Sequence, residues 1–223
     1  MTVIVTLAGF AAIILAAAPP VIEQTQQLPE SAAVKPELVG SAAQTLETLP
    51  VKGRAPKTDY TRSQFGSGWS TVSGCDTRNI ILHRDLQNTV LDENCLVVSG
   101  TLNDPYTATV IAFTKADGSA IQIDHVVALS DAWQTGAQQL TREQRVQLAN
   151  DPLELIAVQG DANQEKSDAN AASWLPENKA FRCEYIARQI AIKQKYSLWV
   201  IPAEKQAMLD VLGSCPGQTL PIE

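Results

Sequence analysis

The sequence predicts an α+β fold, a small antiparallel sheet with packed helices. Three observations carry this. Short β-branched runs are interrupted by polar residues, as in Ala108–Phe113 and Ile121–Val127. Helical spacing and cap signals occupy other stretches, at Ser130–Trp133, Thr141–Leu148 and Pro176–Tyr196. Apolar residues make up 45% of the 223 residues, which is enough to build a core around such elements.

Val3–Ala18 is an uncharged, largely apolar run. It is shorter than the ~20 residues a membrane-spanning helix needs. Ala16-Ala17-Ala18 offers small side chains for signal cleavage. Residues 1–18 are therefore expected to be a secretory signal peptide or a signal anchor, and the mature chain to be extracellular with no stable membrane span. Residues 19–57 read as a disordered linker, rich in Ala, Pro, Gln, Glu and Thr. Residues 58–223 form the expected folded domain. Residues 1–57 carry four basic and four acidic groups, so the whole net charge of −7 falls on residues 58–223. Such a balance counts against general nucleic-acid binding, and any phosphate contact would have to be a local basic groove.

The folded part is expected to begin near Tyr60. Asp76, Arg78, Arg84 and Asp85 lie within ten residues. They read either as surface salt bridges, worth little, or as carboxylates orienting Arg78 or Arg84 toward a phosphate. His83, one of two histidines, reads as a surface residue. Leu96–Val110 reads as strand, turn and strand, with Asn103-Asp104-Pro105 as the turn. Asp117-Gly118 is a type I′ hairpin signal between Ala108–Phe113 and Ile121–Val127. Ser130 is an N-cap candidate, and Thr141 with Gln144 forms a capping-box pattern that places Leu148 on the buried side. Trp133 and Trp174 read as core aromatics rather than base-stacking platforms. On the long helix Pro176–Tyr196, Phe181, Tyr185, Ile192 and Tyr196 make one stripe. Lys179, Arg182 and Lys193 share another face, read as solvated or as the phosphate-tracking wall of a groove. Pro202 suits the first position of a closing helix. The four cysteines permit three pairings, and the expected ones are Cys75–Cys95 and Cys183–Cys215, each worth about 3 kcal/mol.

The chemistry concentrates in Gln122–Asp168. A strand carries Asp124 and His125 side by side, so their side chains point to opposite faces or sit at a bent strand end. A second apolar run, Leu153–Val158, makes a partner strand. Gly160-Asp161 then turns into a helix with Asn163 and Lys166 three apart. A neutral imidazole accepts a proton near pH 7. Asp and Asn oxygens are hard ligands suited to Mg²⁺. Two protein ligands leave coordination positions open for water and phosphate, as metal-assisted hydrolysis requires.

Asp124-His125-Val126-Val127 followed by Asn163-Gln164-Glu165-Lys166 resembles the HNH (ββα-metal) endonuclease superfamily. The wider run is similar to secreted bacterial HNH nucleases related to the C-terminal domain of GmrSD-type restriction enzymes. The similar stretches are Cys75–Asn79, Arg84–Leu86, Asp104–Thr107, Asp131–Trp133, Asn150–Leu153 and Trp174–Pro176. The resemblance implies a ββα-metal motif with His125 as general base, and Asp124 and Asn163 as ligands of a single Mg²⁺ or Mn²⁺. It implies supporting roles for Glu154, Lys166 and Arg78. It also implies hydrolysis of DNA, more readily than RNA, with low sequence specificity and by a monomer. One position departs. Glu154 stands where the family usually has the middle Asn, which hydrogen-bonds backbone and holds the His-bearing loop. Glu could orient His125 instead, or add a carboxylate near the metal. The acidic balance and Glu154 also allow an extracellular binding or cell-envelope protein on the same fold. A hydrolase of another phosphodiester is the third reading.

Overall fold

The computed structural model describes Met1 and residues 42–221. The expected signal segment, apart from Met1, and the linker up to residue 41 lie outside the described residues. The linker nevertheless ends earlier than residue 57. Ala42–Thr48 is a helix, α1, and Ala42, Leu46 and Leu49 are buried in the main apolar cluster. Their spacing of four and three residues gives a short apolar stripe that the composition of the segment concealed. Beyond α1, Val51 bridges to Val200, and Arg54 pairs with Asp131 at 3.0 Å.

A 3₁₀ turn, Arg62–Phe65, leads to two short paired strands, β1 (Thr71–Val72) and β2 (Cys75–Asp76). Asp76 then caps helix α2 (Thr77–Asp85) by accepting from the Asn79 N–H at 2.8 Å. Strands β3 (Gln87–Leu91), β4 (Val97–Asn103) and β5 (Val110–Thr114) form a three-stranded antiparallel sheet in that order. The Asn103-Asp104-Pro105 turn falls where expected, with Asn103 opposite Val110.

The next strand, β6 (Ile121–His125), does not pair with β5. Lys115–Asp117 is a 3₁₀ turn and Gly118 has φ −67°, so no type I′ hairpin forms. A type I′ turn needs positive φ at both central residues. β6 pairs instead with β7 (Leu155–Gln159), 30 residues downstream, with Asp124 opposite Ile156 and His125 opposite Leu155. Between them lie α3 (Leu129–Gln134) and α4 (Arg142–Ala149). α3 starts two residues earlier than the Ser130 signal indicates, so Ser130 is buried inside the helix rather than capping it. α4 carries the expected capping box between Thr141 and Gln144, and Leu148 is fully buried. α5 (Gly160–Lys166) follows β7 directly. Its start packs so closely on the preceding loop that a Cβ on Gly160 would meet the Ser119 carbonyl oxygen at 2.2 Å, which makes glycine obligatory.

The β6–β7 pair divides two apolar clusters. Ile121, Ile123, Leu155 and Ala157 pack with Ile81, Leu82, Leu102 and Phe113 on one side. Ile156 and Val158 pack with the helices on the other. The main helices there are α6 (Arg182–Lys195) and α7 (Pro202–Leu212), with Pro202 at the first turn as expected. α6 begins six residues later than Pro176, after a 3₁₀ turn at Lys179–Phe181. Lys193 is not on a solvated face. It is fully buried, paired with Asp131 at 3.2 Å and Glu204 at 3.0 Å. The disulfides are Cys75–Cys95 and Cys183–Cys215, both as expected. Among the described residues no helix is long and apolar enough to cross a membrane.

Because Leu46 and Leu49 are buried at 0% and 6% exposure, a chain beginning at Thr58 loses two core side chains. At about 1.5–3 kcal/mol each, the expected destabilisation is about 3–6 kcal/mol, measured by thermal unfolding beside the full chain.

Candidate functional site

β6 ends at the floor of a cleft of about 550 Å³. Asp124 and His125 line it from β6, Asn163 from α5 and Arg78 from α2. Four of the six residues singled out in the sequence therefore share one cavity. The other two, Glu154 and Lys166, are buried behind it at 0% and 1% exposure. Their positions follow from the ladder. Asp124 faces the side where Tyr106 and Lys166 stand, and its neighbour His125 faces the other.

His125 is held by its ring. Nε2 lies 3.0 Å from the Ala149 carbonyl oxygen, and the imidazole stacks on Trp69 at 5.9 Å between centroids and 6° between planes. A carbonyl only accepts, so Nε2 carries the proton and Nδ1 is left as an acceptor. Burial, followed by the charge of Arg62, lowers the pKa to about 3, with the Ala149 bond pulling the other way. The ring is therefore unprotonated across the neutral range.

Asp124 is held by both oxygens. The Lys166 ammonium donates to Oδ1 at 2.9 Å, and the Tyr106 hydroxyl donates to Oδ2. Lys166 also donates to the His125 carbonyl at 2.8 Å, so one cation fixes both members of the Asp-His pair. Tyr106 is buried against Trp174 and Tyr185, and burial, then Asp124, pushes its hydroxyl well above the usual phenol range. It stays a donor. Asn163 donates through Nδ2 to Gln122 Oε1 at 2.9 Å, which turns its amide oxygen away from that bond.

Glu154 holds the loop that leaves β6. Its carbonyl accepts from Val126 N–H at 2.9 Å and its Oε2 from Val127 N–H at 3.2 Å. The side chain bonds backbone, and no bond from it to His125 is present among the described residues. Burial raises its pKa well above the carboxylate range, with the Val127 bond opposing. A buried neutral acid accepts one N–H here much as an amide oxygen would.

The donor set suits a hard cation. A carboxylate has about four lone-pair sites, and Lys166 and Tyr106 use one on each oxygen. Among the described residues no group of three or more His, Cys, Asp or Glu converges as a metal cluster. A cation in the cleft would therefore rest on Asp124 and Asn163 oxygens, with water or phosphate completing its shell.

Several residues that line or support the site gave no signal in the sequence. Arg62 comes from a 3₁₀ turn without periodicity, and Trp69 from a loop. Tyr106 sits in the Asp104–Thr107 stretch, but nothing in the sequence shows that its hydroxyl reaches Asp124 across 18 positions. Conversely, no residue of α6 lines the cleft, and three of its basic side chains are engaged internally. Arg182 and Arg188 donate to backbone carbonyls, and Lys193 pairs with buried carboxylates.

The family model described as GmrSD restriction endonucleases, C-terminal domain, matches residues 76–211. The chain belongs to this family. The match spans α2 to α7, including the β6–β7–α5 unit and every site residue singled out in the sequence. The chain is also 38% identical over 178 residues to an "uncharacterized secreted protein" of Arthroderma benhamiae, an alignment covering 78% of this chain and 85% of that one. The GmrSD C-terminal family is nuclease-related by its description.

Two outcomes test the electrostatics. A raised Glu154 pKa means the native state binds a proton that the unfolded chain releases, so this contribution is full below pH ~4.5 and fades as pH rises through the native value. Glu154→Gln keeps the acceptor without the titration. Its unfolding midpoint should match wild type in acid and exceed it increasingly above pH 5. For Lys166→Met, removing one partner of a buried pair should cost about 3–5 kcal/mol in urea unfolding at pH 7.

Proposed function

We propose that this protein is a metal-dependent endonuclease that hydrolyses DNA phosphodiester bonds with low sequence specificity. The observation that carries this is the cleft in which a neutral His125, with Nε2–H given to Ala149, adjoins the oxygen donors Asp124 and Asn163. The family, described by its restriction endonucleases, agrees with it. The chain is further proposed to be exported. The apolar run Val3–Ala18, the two disulfides and the secreted relative support that.

In this reading His125 Nδ1 accepts a proton from a water molecule as its oxygen attacks phosphorus. The P–O3′ bond breaks, leaving a 5′ phosphate and a 3′ oxyanion that takes a proton from solvent water to become the 3′ hydroxyl. The bond to Ala149 and the stack on Trp69 keep Nδ1 aimed, and Glu154 keeps the following loop in place. Lys166 and Tyr106 hold the Asp124 carboxylate oriented. Arg78 lends positive charge to the incoming phosphate. Mg²⁺ or Mn²⁺, when held by Asp124 and Asn163, supplies neutralisation of charge on the phosphorane and the departing oxygen.

One observation favours a second reading, an extracellular binding protein with little activity. Both oxygens of Asp124 already hold donors within the protein.

Plasmid cleavage by the full oxidised chain separates the two. Cutting should require Mg²⁺ or Mn²⁺, stop with EDTA, and fall about 10²–10⁴-fold in His125→Ala. A folded wild-type chain that leaves plasmid intact at millimolar metal would overturn the nuclease reading.

A further inference from the structure

The cleft does not end at His125. It adjoins a smaller cavity of about 140 Å³, and Arg62, Trp69, His125 and Leu129 line both. Arg78 lines only the larger one, on the Gly118 side, where its guanidinium reaches the Gly118 carbonyl at 3.5 Å. Both arginines thus line the larger cavity, but only Arg62, with His125, continues into the smaller one.

The backbone of Arg62 is firmly placed. Phe65, 2% exposed, anchors the 3₁₀ turn among the rings of Tyr60 and Trp133. Arg145 donates to the Gln64 carbonyl at 3.0 Å. The Arg62 side chain itself is exposed and has no hydrogen bond or ion pair among the described residues. Arg54, Arg84, Arg145 and Arg188 are by contrast engaged with Asp131 or with backbone carbonyls. A guanidinium on a rigid turn at the junction of two cavities, facing open space, suits a phosphate that arrives from outside, two of whose oxygens its planar fork can bind.

We infer that Arg62 holds a phosphate of the substrate strand other than the one attacked at His125, so that the cleft recognises a polynucleotide rather than a small diester. This rests on the nuclease reading for its direction of travel, but its first test does not depend on cleavage. A strand that continues from the larger cavity into the smaller one would carry a further phosphate past Arg62.

The first measurement is binding of a fluorescein-labelled 12-mer oligothymidylate to the full oxidised chain in EDTA, by anisotropy across a salt series. Arg62→Ala should weaken binding and reduce the slope of log K against log salt by about 0.7, the release expected for one single-strand phosphate contact. Arg62→Lys keeps the charge and should restore most of the slope, which a change in folding alone would not do. The second measurement compares cleavage of the 12-mer with hydrolysis of thymidine 5′-(p-nitrophenyl phosphate) in Mn²⁺. The loss of kcat/KM in Arg62→Ala should be at least tenfold greater on the 12-mer. An unchanged salt slope, no binding of the 12-mer by wild type, or equal losses on both substrates would each overturn the inference. A reduced slope in a chain that cleaves neither substrate would leave the Arg62 assignment standing and remove the nuclease reading.

Discussion

The constraint on which the rest depends is that β6 and β7 have apolar cover on both faces. A two-stranded ladder in that position has two free edges whose backbone groups cannot reach water, and each must find a partner or cost free energy. The protein meets this with charge. Along β7, the Ala157 N–H is accepted by Asp85 at 2.8 Å and the Gln159 N–H by Asp104 at 2.9 Å. The Leu155 carbonyl takes donors from Arg84 at 2.8 Å and Arg188 at 3.1 Å. The Arg84–Asp85 pair, which the sequence offers as a surface salt bridge, thus becomes an edge seal. α2, the Asp104 turn and α6 are fixed against the ladder by the same bonds.

Site geometry inherits that rigidity. With the register set at Asp124 opposite Ile156, a slip of one residue would exchange the faces of Asp124 and His125. The carboxylate would leave Lys166 and Tyr106, and the imidazole would leave Trp69 and Ala149. Period-two alternation therefore does chemical sorting here. It sends the carboxylate to a side with buried donors and the imidazole to a side with a carbonyl acceptor, while both reach the cleft at the strand end. The burial that disfavours charge acts on the two differently. His125 stays neutral, whereas the Asp124 side chain has the Lys166 ammonium against it at 2.9 Å.

Much of this was legible in the chain. Asp124, His125 and Asn163 stood out because strand, strand and helix follow in an order that brings their ends together, and Arg78 because it lies in a run of four charges within a stretch that resembles the family. The capping box at Thr141 and the turn at Asp104 were readable because they are local hydrogen-bond patterns. The misread hairpin at Asp117-Gly118 shows the limit. A turn dipeptide states what the backbone can do, while the choice of partner strand was made by the apolar faces of Ile121, Ile123, Leu155 and Ala157. α1 was hidden by its polar neighbours, Tyr106 and Gln122 act through contacts across many positions that no spacing encodes, and Arg62 reaches the cleft from a turn without periodicity. Glu154 was visible as a departure but not as a replacement. Its loop bond to the Val127 N–H depends on tertiary position, which spacing along the chain does not encode.

The acidic balance of the domain reads differently once its carboxylates are placed. Asp76 caps a helix, Asp85 and Asp104 seal β7, Asp92 accepts the Asn94 and Leu96 N–H groups, and Glu154 holds a loop. Asp131 and Glu204 face Lys193, and Asp151 accepts from Leu153 and Tyr196. These groups answer backbone donors or buried cations, and several are removed from solvent altogether. At the cleft the remaining acids are matched, Asp124 by Lys166 and Asp168 by Lys57 at 2.9 Å each. Arg62 and Arg78 are left there without a carboxylate in salt-bridge range among the described residues. A formal charge of −7 thus coexists with a cleft whose two carboxylates each have a lysine partner and whose two arginines have no carboxylate partner, and the potential that a phosphate meets is set by the charges around the groove and not by the sum over the chain.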